Sequence, residues 1–334
     1  GSYEALWRWS VDDLEGFWAA IWEYFDVRAA TPYEQVLASR EMPGARWFPG
    51  ATLNYTENLL ARRPDDAVAI RHASELRELG SWTWRDLRRE TARIRAGLEA
   101  LGVRSGDRVA AYLPNIPETV AAFLATASLG AVWSSAAPEF GARSVIDRFA
   151  QIEPKVLLAV DGYRYGGRDF DRSEQVAQIA EAIGAPVVRL GYLDGSGWQE
   201  GFLGPEDAPL AFETVPFDHP LWILYSSGTT GLPKAIVHSH GGILLEQLKK
   251  GHLHLDAQAD DRVFWFTTTG WMMWNFLVGV LLTEASIILY DGSPAAPTLD
   301  RLWDLAEQTG MTVFGTSAAY IGSCMKAGVE PSRG

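Results

Sequence analysis

Short apolar runs that alternate with amphipathic helical stretches constrain the fold of this chain most. Residues 109–113, 156–160, 187–190, 221–225, 263–267, 286–290 and 312–314 are brief and mostly apolar. A strand buried on both faces reads this way, because neither face has to be polar. Helical runs lie between most of them. The clearest spans 83–101, with Leu87, Ile94, Leu98 and Leu101 on one face, Thr83 and Asp86 as a capping pair, and Gly102 as the stop. A further helix is expected within 116–129. This alternation predicts an α/β fold: stacked parallel or mixed β-sheets covered by helices.

The flanks carry other signals. Residues 3–28 hold Leu6, Trp9, Leu14, Trp18, Ile21 and Phe25 at helical spacing, which predicts an N-terminal helical cap packed by its aromatic face. Residues 192–218 are rich in Gly, Pro and acidic side chains and read as a linker. They put a boundary near residue 205, between a first α/β subdomain (29–205) and a second (206–334). A chain of 334 residues that is 47% hydrophobic can bury a large core. Its net charge of −13 argues against nucleic acid and anionic membrane surfaces as partners. Nucleotides stay open, since phosphate sites use local donors. The sole cysteine, Cys324, rules out an intrachain disulfide and suits a reducing compartment. There is no run of 18 apolar residues, and Glu4, Asp12, Asp13 and Glu15 stand where a leader would be basic and then apolar. A cytoplasmic protein is expected.

One loop carries chemistry. The run Tyr225-Ser226-Ser227-Gly228-Thr229-Thr230-Gly231-Leu232-Pro233-Lys234 follows one apolar strand and precedes another at 235–237. Four hydroxyls, two glycines and a lysine at a strand end suit a polyphosphate. Glycine lets the backbone approach the oxygens, hydroxyls donate, and lysine supplies charge. The loop is not a Walker A motif, because Leu232 and Pro233 separate Gly231 from the lysine. A Ser/Thr-rich turn without a ligand is the plain alternative.

The loop resembles the signature of the adenylate-forming superfamily of acyl-CoA synthetases, luciferases and peptide-synthetase adenylation domains. Trp47-Phe48-Pro49-Gly50, with Leu53, Asn54 and Asn58, resembles the entry segment of the acetyl-CoA synthetase branch. The segments 6–10 and 269–275 look most like acetoacetyl-CoA synthetases. The resemblance implies an acid–thiol ligase that activates acetoacetate with ATP and Mg²⁺ to an acyl-adenylate. Coenzyme A would then take the acyl group, releasing AMP. Acetate, propionate or another short-chain acid is the alternative substrate. The resemblance assigns Ser226, Ser227, Gly228, Thr229, Thr230, Gly231 and Lys234 to the ATP phosphates, with Thr229 and Lys234 catalytic. Small molecules would be the partners.

Further positions follow from strand ends. Trp271, Met272, Met273, Trp274 and Asn275 come after the strand at 263–267, and the resemblance makes them the wall of the acyl pocket. Trp271 would close it, and Trp274 or Asn275 would donate to a keto oxygen. Trp and Met pairs in a core are the plain alternative. Arg164 and Arg168, beside glycines after the strand at 156–160, suit a phosphate, and the resemblance gives them the nucleotide end of CoA. A solvated loop is equally open. Thr316 or Ser317, at another strand end on the same cleft, would touch the acid or the adenosine. His238 and His240, two apart on a strand, would share a face, but no Cys or acidic cluster supports a metal there. Relatives in this superfamily run further, with an Mg²⁺-placing Glu, a ribose-binding Asp and a mobile domain bearing a catalytic lysine. The chain therefore resembles their N-terminal portion, the large domain incomplete at its C-terminal end, and taken alone it is expected to be a catalytically incomplete nucleotide-binding module.

Overall fold

The computed structural model describes residues 1–61, 63–226 and 231–331. Two helices open the chain, α1 (Tyr3–Asp12) and α2 (Leu14–Tyr24). Then come strands β1 (Val68–Ser74) and β2 (Gly80–Thr83), helix α3 (Trp84–Ala100), β3 (Arg108–Tyr112), α4 (Pro117–Ser128), β4 (Val132–Ala136), α5 (Ala142–Phe149) and β5 (Val156–Val160). A hairpin of β6 (Gly162–Tyr165) and β7 (Arg168–Asp171) precedes α6 (Ser173–Ile183), β8 (Val187–Gly191) and β9 (Gly197–Trp198). The last part holds β10 (Pro220–Ser226), β11 (Lys234–Ser239), α7 (His240–Leu253), β12 (Arg262–Trp265), α8 (Met272–Gly279), β13 (Ser286–Asp291), α9 (Arg301–Thr309), β14 (Val313–Gly315) and α10 (Ala318–Ala327).

Among the described residues, one large sheet has seven strands in the order β9-β8-β5-β3-β4-β10-β11. Its inner strands are parallel, and only β9 and β11, at the edges, run antiparallel to their neighbours. A second sheet has five strands in the order β14-β12-β13-β1-β2, parallel except for β2. Every residue of helix α4 except the half-buried Glu118 is buried. A helix covered on all sides belongs inside a core rather than on a surface. Its Phe123 lies within 6.0 Å, ring centre to ring centre, of Trp133, Trp222 and Trp274. Asn115, just before α4, accepts from the Trp274 indole at 3.1 Å and donates to the Tyr290 carbonyl on β13 at 3.4 Å. The two sheets thus share one apolar core.

Strands from both sides of residue 205 occupy each large sheet: β1 and β2 pair within the second, β10 and β11 within the first. The boundary expected near 205 is therefore not a boundary between sheets. The expected linker also begins as structure. Asp161 Oδ1 accepts from the Tyr192 and Leu193 amides at 2.7 and 2.9 Å, and its Oδ2 from the Asp194 amide at 2.9 Å. That buried carboxylate shapes the turn into β9. At the N-terminus one expected cap helix is two. Asp13 breaks the run and caps α2 through the Gly16 amide at 2.9 Å. Ile21 is buried, but Leu6 and Trp9 stay 38% and 39% exposed, because α1 buries no residue against the core. Leu101 also falls outside the apolar face of α3, which ends at Ala100, and is 44% exposed.

Candidate functional site

The phosphate-loop reading rests on the β10–β11 hairpin. Its roots are well defined: Ser226 pairs with Lys234 and Tyr225 with Ala235 across the antiparallel ladder. Ser227, Gly228, Thr229 and Thr230 lie outside the described residues. Gly231 adopts a φ of +151°, in the region open to glycine. Lys234 is exposed at the start of β11. The Gln151 side chain donates to the Pro233 carbonyl at 3.0 Å and ties the loop to the end of α5. The Tyr225 hydroxyl donates to the Arg148 carbonyl at 2.7 Å, and burial pushes its pKa up to about 12.

A run of contacts leads from this loop to the proposed acyl wall. The Arg148 guanidinium lies 6.0 Å from the Tyr225 ring centre and 5.3 Å from that of Phe140, which follows β4. Phe140 in turn covers Gly270, where an added Cβ would sit 2.8 Å from the ring. The Ser135 hydroxyl donates to the Thr269 carbonyl at 2.7 Å, and the Thr269 hydroxyl to the Leu113 carbonyl at 2.7 Å. The Phe266 amide donates to the Gly315 carbonyl at 2.8 Å. The segments after β4, β12 and β14 therefore converge at the carboxyl ends of their strands, where open α/β sheets bind ligands.

The expected wall residues divide. Trp271, which precedes α8, and Met272 are 62% and 56% exposed, and Met273 is half-buried. Trp274 is fully buried and stacks on Trp133, and its indole N–H is taken by Asn115. It is a core residue, and that donor is not open to a keto oxygen. Asn275 is 1% exposed, and both polar side-chain atoms lack a hydrogen-bond partner among the described residues. At the end of β14, Ser317 caps α10 by accepting from the Tyr320 amide at 3.2 Å, which gives it structural work. The Thr316 hydroxyl is buried without a partner among the described residues, and so is that of Thr268, a residue that sequence patterning did not single out. Buried hydroxyls left unpaired are costly, and a polar ligand at these strand ends would satisfy them.

Arg164 and Arg168 fall on the β6–β7 hairpin. Arg164 makes a two-pronged ion pair with Asp169 across the hairpin, at 2.5 and 3.1 Å, and Arg168 is exposed over the Phe170 ring. Arg164 lines a cavity of about 790 Å³ with Glu75, Gly166, Gly167, Tyr290, Ser293 and Arg301 among its walls. His238 and His240 do not share a face. His238 Nδ1 accepts from the Trp222 indole at 2.8 Å, whereas the buried His240 Nδ1 accepts from the Tyr55 amide at 3.2 Å. Burial, then His219, depresses the His240 pKa to about 3. Asn54 of the entry segment is likewise a buried structural residue, donating to the Ala127 and Glu213 carbonyls at 2.9 and 2.8 Å. Among the described residues no three His, Cys, Asp or Glu side chains group to hold a metal. No described helix is long and apolar enough to cross a membrane.

The family model for AMP-binding enzymes matches residues 57–333. The chain belongs to the AMP-binding enzyme family. A second model, for the acetyl-coenzyme A synthetase N-terminus, matches residues 3–59. An acetoacetyl-coenzyme A synthetase of Rhizobium meliloti is 44% identical over 99% of this chain and 52% of its own length. An acetoacetyl-CoA synthetase of Danio rerio is 41% identical over 96% of this chain and 51% of its own. The solved acetoacetyl-CoA synthetase from Streptomyces lividans superposes with a TM-score of 0.95 at 56% identity, covering all of this chain and 53% of that one. This AMP-binding chain thus spans about half the length of the relatives it matches.

Proposed function

We propose that this chain forms the ATP- and acid-binding part of an AMP-forming acid–thiol ligase whose acid is acetoacetate. The observation that carries the reading is the likeness along the entire chain to the Streptomyces lividans acetoacetyl-CoA synthetase. In the first half-reaction the acid's carboxylate attacks the α-phosphorus of ATP and pyrophosphate leaves. In the second, the CoA thiol attacks the acyl carbon and AMP leaves.

Lys234 and the hydroxyls and amides of residues 226–231 neutralise charge on the departing pyrophosphate, the role fixed donors play best where water is excluded. The unpaired Thr268 and Thr316 hydroxyls offer hydrogen bonds to the adenylate or the acid. Trp271, Met272 and Met273 give an adaptable apolar wall. Arg164 and Arg168 take the nucleotide end of CoA. The described residues form no Mg²⁺ cage of their own, so Mg²⁺ with ATP rests on the resemblance alone. A cytoplasmic location belongs to the same reading.

A second acid deserves comparison, because a malonamoyl-CoA synthetase of Penicillium aethiopicum is 36% identical over 96% of this chain. Malonamate differs from acetoacetate only in carrying an amide where acetoacetate has a methyl ketone. An acyl end that faces Met272 and Met273 would favour the methyl group, because an amide NH₂ there would meet thioethers that accept hydrogen bonds only weakly.

The test is acid-dependent AMP release by the protein at the full length its gene encodes, with acetoacetate, malonamate, acetate, propionate, butyrate and 3-hydroxybutyrate. The highest kcat/KM is expected for acetoacetate. Equal use of acetate or butyrate would overturn the choice of acid. In the same protein Lys234→Ala should lower acetoacetate-dependent pyrophosphate exchange about a hundredfold or more. Unchanged exchange would remove the loop assignment. The 334-residue chain alone is expected to bind ATP by calorimetry without turning over the acid.

A further inference from the structure

We propose that Glu75 is a positioning residue for coenzyme A. Its carboxylate clamps the β6–β7 hairpin, and with it Arg164 and Arg168, to the end of the second sheet. The inference rests on the CoA reading of that hairpin.

Glu75 directly follows β1. Its Oε1 accepts from the Gly166 amide at 2.8 Å and from the Ser293 amide at 2.7 Å, and its Oε2 accepts from the Gly167 amide at 2.6 Å. Ser293 follows β13 of the second sheet, whereas Gly166 and Gly167 form the tip of a hairpin that leaves β5 of the large sheet. One side chain therefore ties the two sheets together at this tip. The local backbone is built for it. Gly166 and Gly167 have φ of +62° and +75°, a left-handed pair that turns successive N–H groups toward a single anion. Gly292 has φ of +148°, and a Cβ there would lie 2.9 Å from Glu75 Cγ, so the glycine leaves room for the carboxylate. The Glu75 amide donates to the Asp291 carbonyl at 3.2 Å, which fixes the residue at both ends.

The consequence lies in the hairpin. It consists of two four-residue strands, too few to hold a fixed shape without support. Bonds from backbone amides to an ionised carboxylate are stronger and shorter than neutral ones, and three of them converge here. Arg164, locked to Asp169 across the ladder, is carried by the clamped tip beside the 790 Å³ cavity. The arginines are thereby ordered before the ligand arrives, which lowers the entropic cost of binding it. Glu75 acts through the hairpin; its own oxygens are occupied by the amides.

The test uses Glu75→Gln in the protein at full length. Glutamine keeps the shape but replaces one acceptor by an NH₂ that faces an amide N–H. The KM for CoA should rise about tenfold. Acid-dependent pyrophosphate exchange, which needs no CoA, should keep its wild-type rate. The KM for pantetheine, a thiol lacking the nucleotide end, should also stay at the wild-type value. Arg164→Ala is the companion variant. A raised CoA KM in R164A with none in E75Q overturns the clamp and keeps the CoA reading. An unchanged CoA KM in both variants overturns the reading and the clamp together. Losses of exchange and of activity with both thiols in parallel would make Glu75 a stability residue only. Tighter CoA binding in E75Q would mean that the carboxylate competes with the ligand's phosphate, and would likewise overturn the proposal.

Discussion

Asp291, which sequence patterning did not single out, shows how tertiary surroundings set the chemistry of a single residue. It ends β13 with its side chain 7% exposed, and its carboxylate accepts from the Tyr192 hydroxyl at 3.0 Å. Burial first, then the charges of Glu139 and Glu75, raise its pKa to about 7, against the lowering pull of the Tyr192 hydrogen bond and Arg77. The folded state therefore holds a proton that the unfolded state, titrating at 3.8, gives up. As pH rises through that window the unfolded state gains stability relative to the folded one. Asp291→Asn mimics the protonated acid and keeps an acceptor for Tyr192. Its melting temperature should exceed that of the wild type by a margin that opens between pH 4 and 7 and stays constant above. The full effect is at most about 4 kcal/mol, from 1.36 kcal/mol per pKa unit. A pH-independent difference between the two melting curves would show that Asp291 is ionised in the fold. Nothing in the run 286–291 announced this, because the shift comes from groups that are distant in sequence.

At the scale of elements, legibility followed whether a segment carries its own pattern, an apolar run for a strand or periodicity with a cap for a helix. The strand expected at 156–160 is β5, and the helix expected at 83–101 is α3 with its capping box. The Thr83 hydroxyl takes the Asp86 amide at 3.2 Å while the Asp86 carboxylate takes the Thr83 amide at 3.0 Å. Thr83→Ala should cost about 1 kcal/mol, read as a lower urea midpoint with an unchanged slope. A midpoint equal to the wild type would mean that tertiary packing alone holds that helix end. Strands β1 and β4 escaped the pattern. β4 carries Ser134 and Ser135, which look polar but are buried, because their hydroxyls donate to the Ile223 and Thr269 carbonyls at 3.0 and 2.7 Å. β1 is interrupted by Arg71 and His72, whose neighbours come from a sheet assembled across the chain. The same limit applied at the site. The loop at 225–234 is a local motif that sequence alone can propose, whereas Thr268 and Glu75 take their surroundings only from partners far along the chain.

The whole molecule is held by exchange of strands between its halves. Because β1 and β2 complete the second sheet and β10 and β11 the first, neither half has a closed core of its own. The turn at 205–207 is exposed. A protease site placed there and cut should leave one species on size exclusion, with the two pieces parting only in denaturant. Separation of the pieces under native conditions would restore an independent boundary at 205. Such interlocking suits a ligand site made from the ends of strands in both sheets, since the walls cannot drift apart without breaking the core.

The amino-acid sequence by itself determined the strand and helix alternation, the α/β class and, through motifs such as the Ser-, Thr- and Gly-rich loop at 225–234, the resemblance to AMP-binding enzymes. These are properties of short segments, set by local periodicity, caps and glycine placement. Only the tertiary structure decided which strands share a sheet, that Trp274 is core rather than wall, that His238 and His240 look different ways, and that Glu75 joins two sheets. The physical reason is common to all four. A buried polar group is worth what its partner makes it, and the partners lie far along the chain, Glu75 and Ser293 by 218 residues.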